Sequence, residues 1–178
     1  MATDLTVPVD AQDHARGDAD ATVTLVEYGD YECPSCLATQ PTVERLLDEL
    51  PHVRFVFRHF PLTSVHAHAS QAAQAAEAAA AQGQFWPMHA ALYKRPGGLE
   101  LDDLDRLALR LGVEVYRFQS DLTGNKYTAK IKRDIDGGRA SGVTGTPTFF
   151  LNGRRLPSDV LAGDGLIQAV RDARCGSQ

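Results

Sequence analysis

Clustered positive charge, long apolar runs and cysteine are all scarce in this 178-residue chain, and each scarcity excludes something. No run of five basic residues occurs, and 18 Lys and Arg stand against 23 Asp and Glu, for a net charge of −5. Phosphate backbones are held by clustered cations, so nucleic acid is not an expected partner. No apolar stretch approaches the roughly 20 residues that a bilayer-spanning helix needs, so no membrane association is expected. The opening MATDLTVPVDAQDHARGDADA lacks the basic start and apolar centre of a secretory signal. The expected compartment is the cytosol, although a periplasmic or secreted chain trimmed of its leader reads the same way. Three cysteines are too few for a disulfide scaffold, and static disulfides are rare in a reducing cytosol. Internal repeats and low-complexity linkers are also missing. The length fits one domain, and the 43% hydrophobic content is enough for a real core.

Against this background two of the cysteines stand close together, in GDYECPSCLATQ. The preceding ATVTLVEYG, residues 21–29, is β-branched and nearly continuous in apolar character, as in a central strand covered on both faces. After Cys33, Pro34 suits a first helical position, and Val43, Leu46, Leu47 and Leu50 keep helical spacing, with Pro41 expected to kink the helix. HVRFVFRHF, residues 52–60, alternates as a second strand. The first twenty residues are polar, with Val7 and Val9 suggesting a short extended piece. From Leu62 the chain turns helical for about eighty residues. It begins with the Ala-rich HAHASQAAQAAEAAAAQGQF and continues through FWPMHAALYKR, DDLDRLALRLG, EVYRFQSDL and YTAKIKRDIDGG. TPTFFLNGRRL then reads as strand, Asn152-Gly153 turn and strand, and a last helix follows near Gly165 to Arg174. Strand, helix and strand at the start imply a parallel pair within an α/β domain.

A CxxC pair at a helix start has an electrostatic logic. Cys33 sits where unpaired N–H groups and the helix dipole favour an anion, which lowers a thiol from its usual pKa near 8.5. Cys36 lies one turn on, on the same face and less exposed. Cys33 is then the attacking thiolate and Cys36 the thiol that resolves a mixed disulfide. Pro34 stiffens the turn, and Ser35 offers a hydroxyl to the sulfur without adding positive charge. Glu27 interrupts the apolar strand six residues upstream, where an acid is costly unless it serves a purpose or is paired. It reads either as a buried proton acceptor for Cys36 or as an edge-strand acid paired to an Arg. Thr146-Pro147 opens a strand at a position compatible with a cis bond. The rival readings of the cysteines are inert buried thiols or half of a zinc site. For zinc the missing ligands have to come from Cys175 or the histidines, and His66 and His68 lack the i, i+4 spacing of a helical ligand pair.

DHARGDADATVTLVEYGDYECPSC, FRHFPL, FWPMH and SGVTGTPTFFLNG together resemble the DsbA-like branch of the thioredoxin superfamily. The likeness runs from about Asp13 to Gly153, and is greatest to bacterial thioredoxin-like domains found alone or fused to sodium/proton antiporters. It implies one DsbA-like domain over 1–178. Its thioredoxin core would occupy about 7–60 and 143–174, and a helical insertion about 62–142 would separate the CxxC half from the cis-proline half. It further implies that Cys33 is the nucleophile, Cys36 the resolving thiol and Glu27 the buried acid beside it. Thr146 and a cis Pro147, with Pro34 and Ser35, would meet a substrate peptide. The expected activity is thiol–disulfide oxidoreduction without metal or organic cofactor. Its partners would be protein or peptide disulfides and dithiols, with electrons from a thioredoxin or glutathione system. Where the periplasmic oxidase DsbA carries Pro-His between its cysteines this chain carries Pro-Ser, which implies a less oxidising couple and favours a cytosolic reductase or oxidative-stress role. A redox-sensing, peptide-binding module with little turnover is the alternative. His59, His66 and His68 are expected to cap or pack, Trp86 and His89 to lie in the core of the helical block, and Cys175 to be a free surface thiol.

Overall fold

The computed structural model describes residues 4–94 and 98–175. Five strands form one sheet in the order β1-β3-β2-β4-β5. They are β1 (His14–Arg16), β2 (Val23–Gly29), β3 (Val53–His59), β4 (Thr148–Leu151) and β5 (Arg154–Arg155). β2 runs parallel to β3 and antiparallel to β4, so both its edges are paired. That explains its unbroken apolar character, because a strand with neighbours on both sides and layers on both faces has no wet side. α1 (Pro34–Glu49) links β2 to β3 and continues through Pro41. Between β3 and β4 come α2 (Ala69–Ala80), α3 (Phe85–Lys94), α4 (Leu101–Arg110), α5 (Val115–Thr123) and α6 (Thr128–Ala140), and α7 (Gly165–Cys175) closes the chain. The fold is a thioredoxin-like α/β sheet with a helical insertion. Among the described residues no helix is long and apolar enough to cross a membrane.

Strand alternation divides the core in two. Val23, Leu25, Phe55, Phe57, Phe149 and Leu151 face one side and pack with Val43 and Leu46 of α1, Met88 and Leu92 of α3, and Leu166 and Val170 of α7. Val26, Tyr28, Val56 and Phe150 face the other, against Leu5, Val9 and Ile135. Asn152 and Gly153 both have positive φ (47° and 81°), as a two-residue hairpin turn requires.

The N-terminal arm departs from expectation. The strand is His14–Arg16, paired antiparallel with β3, while Val7 to Val9 belongs to no strand. The cause is Arg58, whose guanidinium donates to the carbonyls of Val7 and Pro8 and to both carboxylate oxygens of Asp13, at 2.8–2.9 Å. The arm's carbonyls are thus satisfied by a buried side chain instead of a strand neighbour. α2 also starts later than the Ala-rich segment, at Ala69, because the Glu32 carboxylate accepts the backbone N–H of His68 at 2.6 Å and holds the preceding residues in a turn.

Candidate active site

β2 ends at Gly29, where an added Cβ would lie 2.4 Å from the Phe57 ring, so only glycine lets the backbone pass. The turn that follows is fixed by Asp30, which is buried. Its carboxylate accepts the N–H groups of Glu32 (2.7 Å) and Leu62 (2.8 Å) and meets His66 Nδ1 at 2.7 Å. Its carbonyl accepts the Cys33 N–H at 3.2 Å. Cys33 is thereby held in extended conformation (φ −70°, ψ 122°) immediately before α1, with Pro34 opening the helix. No side-chain oxygen caps this helix, so the first-turn N–H groups of Ser35 and Cys36 are left for the Cys33 sulfur. Ser35 therefore acts on the sulfur through its backbone.

These surroundings separate the two thiols. A hydrogen bond from the Cys36 thiol, outweighing partial burial and joined by the Thr146 hydroxyl and the two backbone N–H groups, brings the Cys33 pKa down to about 5. The Thr146 hydroxyl is buried with no hydrogen-bond partner and so is free to turn to a Cys33 thiolate, while the Thr146 carbonyl accepts from the protonated Cys33 thiol at 3.3 Å. Cys36 is fully buried; burial first, then its bond to Cys33 and the nearby Glu27, push its thiol far up.

Glu27 is on the central strand, directly opposite Phe57 on β3 and Phe149 on β4, and none of it is exposed. The edge-strand reading is therefore corrected, and its hydrogen-bond partner is the amide of Gln40, 3.3 Å from each carboxylate oxygen, instead of an Arg. Burial, against the opposing effects of Gln40 and the Arg16 charge and with a smaller push from a charge on Cys33, raises its pKa to about 8. Thr146-Pro147 is cis, half-buried, and adjoins a cleft of about 420 Å³ lined by Pro147, Phe149, Leu156, Pro157 and Leu161. Pro34 and Ser35 are exposed at the same end.

Two residues escaped the sequence reading. Asp30 carries only the signal of an acid directly after a strand. Gln40 is readable in principle, because it stands seven residues after Cys33 and four after Cys36, hence on the same helical face. His89 lies in the core with its Nδ1 3.0 Å from the Tyr31 hydroxyl, and Trp86 packs against that core half-buried. His68 bridges Glu32 and Glu100. The Cys175 side chain lies outside the described residues. Among those described, the group of three metal-ligating side chains that converge is His14, His59 and Glu77, and neither cysteine belongs to it.

A family model described as Thioredoxin matches residues 10–168. Na(+)/H(+) antiporter NhaA 1 of Salinispora arenicola is 50% identical over 153 residues, covering 85% of this chain and 24% of that protein. The Na(+)/H(+) antiporter NhaA of Herminiimonas arsenicoxydans is 42% identical over 84% of this chain and 24% of its own length. The chain thus spans about a quarter of the curated relatives it matches. Among solved structures, a thioredoxin-like oxidoreductase from Silicibacter pomeroyi superposes with TM-score 0.83 at 28% identity, covering 95% of both chains. Pseudomonas aeruginosa DsbA2 superposes with TM-score 0.73 at 26% identity, covering 96% of this chain and 97% of that one. BdbD from Bacillus subtilis shares the fold with TM-score 0.82 at 22% identity, over 97% of each chain.

Proposed function

Because this chain belongs to the thioredoxin family, we propose that Cys33 and Cys36 cycle between dithiol and disulfide as the redox centre of a thiol–disulfide oxidoreductase acting on protein or peptide substrates. The observation that carries this reading is the inequality of the two thiols, one drawn down to about 5 at the helix start and the other buried and pushed up. In the reducing direction the Cys33 thiolate attacks a substrate disulfide, forming a mixed disulfide and releasing one substrate thiolate. Glu27 first gives up its own proton to solvent, its carboxylate then takes the proton of Cys36, and Cys36 attacks the Cys33 sulfur. The Cys33–Cys36 disulfide forms, the second substrate thiolate leaves, and two electrons have passed to the substrate. The first step removes the Cys33 charge, one of the influences that hold the Glu27 proton in place, so the acid ionises more readily when a carboxylate is needed. Substrate peptide would lie along Thr146, Pro147, Pro34 and Ser35, with the cleft beside Pro147 taking its side chains.

The Pro34-Ser35 dipeptide, which places no cation beside the sulfur, supports reduction of labile disulfides in the cytosol, with a thioredoxin or glutathione system restoring the dithiol. An insulin-reduction assay tests the activity: the chain is expected to be active and Cys33→Ser inactive, and activity surviving that substitution rules out the assignment. The antiporter names of the curated relatives favour a second reading, a redox-sensing module that binds a partner and turns over little. A Cys33 pKa near 8.5, no insulin reduction and a partner held in one redox state would select it.

A further inference from the structure

We propose that His14, His59 and Glu77 form a binding site for a divalent transition-metal ion, with Zn²⁺ the best match, that clips β1 and the end of β3 to α2. The site is distinct from the cysteine pair and independent of the redox reading. His14 Nε2 and His59 Nε2 approach the same Glu77 oxygen, Oε1, at 2.7 and 2.8 Å, and the three donor atoms lie within 4.8 Å of one another. Side-chain exposure is 18% for His14, 6% for Glu77 and 1% for His59, so the group is sunk into the protein with one entrance, at His14.

The donor set is chemically apt. Two imidazoles and one carboxylate leave a fourth tetrahedral position for water, a set that zinc accepts at bond lengths of about 2.0–2.2 Å. Ligand atoms around such an ion stand roughly 3.4 Å apart, so each imidazole nitrogen needs to draw back from the Glu77 oxygen by only about 0.6 Å. An ionised carboxylate accepts hydrogen bonds but cannot donate them, so each imidazole at present carries its proton on Nε2. On binding, that proton moves to Nδ1 and the Nε2 lone pair goes to the metal. Both rings are packed by neighbours: Phe85 stacks on His14 with centroids 3.5 Å apart, and Phe57 and Tyr31 meet the His59 ring edge-on at 5.4 and 6.0 Å. Restraint of ligand rings by their surroundings is how metal sites are preorganised. The ligands come from three elements that the chain reaches separately, so the ion would join the edge of the sheet to the helical insertion.

The test uses the full chain in its Cys33–Cys36 disulfide form, with Cys175 alkylated, so that no thiolate competes. After chelator stripping it is titrated with Zn²⁺ by calorimetry and with Co²⁺ by visible absorption. One ion per chain is expected, with a low-coordinate Co²⁺ spectrum free of sulfur charge-transfer bands. His14→Ala and Glu77→Gln should each weaken binding at least roughly 100-fold, the upper end of losses seen for mere supporting residues. As the substitution of Glu77 carries a folding risk, the wild-type chain supplies a second readout. The ring nitrogen resonances of His14 and His59 should shift together on Zn²⁺ addition, and melting temperature should rise with ion concentration. No binding by the wild type, undiminished binding by His14→Ala, or unmoved His14 and His59 resonances overturns the site.

Discussion

Cys33 and Cys36 are chemically identical thiols, so everything that distinguishes them comes from what faces each sulfur. Cys33 collects donors, and Cys36 is surrounded by apolar groups and one acid. Among the donors, the Thr146 hydroxyl has no competing partner. A hydrogen bond to a charged group contributes about 1.5–3 kcal/mol, which corresponds to about one to two pKa units. Thr146→Val should therefore move the Cys33 titration, followed by thiolate absorbance, up from about 5 by at least about one unit. An unmoved titration would mean that the Cys36 thiol and the helix start set the pKa without the threonine. Glu27 gives a prediction of opposite sign to an ordinary carboxylate. Its pKa is raised from 4.5 to about 8, so between those values the folded chain keeps a proton that the unfolded chain has lost. Stability contributed by the neutral acid is complete below pH 4.5 and is lost as pH rises toward 8, by roughly 3 kcal/mol at pH 7. Glu27→Gln, which stays neutral, should be more stable than wild type in urea at pH 8, with the difference vanishing near pH 4. The same substitution should slow resolution of the mixed disulfide and flatten its rise with pH.

At the scale of elements, Arg58 shows how one side chain can replace a strand contact. Its side chain and that of Asp13 are 2% and 0% exposed, and it also reaches Val7, Pro8 and the Tyr28 hydroxyl. Removing one partner of a buried pair strands the other charge, at a cost of about 3–5 kcal/mol. Arg58→Met should lose about that much in denaturant melts and free the N-terminal arm to limited proteolysis, whereas Arg58→Met with Asp13→Leu should recover part of the stability. Equal stability of the two variants would rule out the pairing as the source. This arm marks the boundary of what could be read from sequence. β2, α1 and the Asn152-Gly153 hairpin were legible because their signals are local: an apolar run, a proline at a helix start, a turn that needs positive φ. The contact of Asp13 with Arg58 spans 45 residues, and that of His14 with Glu77 spans 63, distances over which no periodicity reports. Within the site, the cysteines declared themselves by spacing and Glu27 by its wrongness in an apolar strand. The role of Gln40 emerged only when α1 was laid over β2, and that of the Thr146 hydroxyl only when a loop 113 residues from Cys33 was folded against it.

For the whole molecule, what matters is where the dithiol stands relative to its surroundings, because that decides which way electrons flow. A lower Cys33 pKa stabilises the reduced form and makes the disulfide more oxidising. Thioredoxin, with a cysteine pKa near 7, has a potential of about −270 mV, and DsbA, near 3.5, one of about −120 mV. A Cys33 pKa of about 5 lies between them, somewhat nearer DsbA, which places the couple in the more oxidising half of that range. Glutathione in the cytosol is poised at about −220 to −260 mV by extraction, so there the pair would rest mainly as the dithiol. It would then reduce strained or exposed disulfides but leave structural ones, whose potentials lie below about −300 mV, untouched. Equilibration in glutathione buffers, with the disulfide fraction read by thiol alkylation, should give a midpoint between about −270 and −120 mV. Ser35→His adds a cation beside the thiolate, and should move the midpoint toward the DsbA end while lowering the Cys33 pKa. A wild-type midpoint above about −120 mV would reverse the assignment to an oxidant, and an unshifted Ser35→His midpoint would show that the dipeptide does not set the couple.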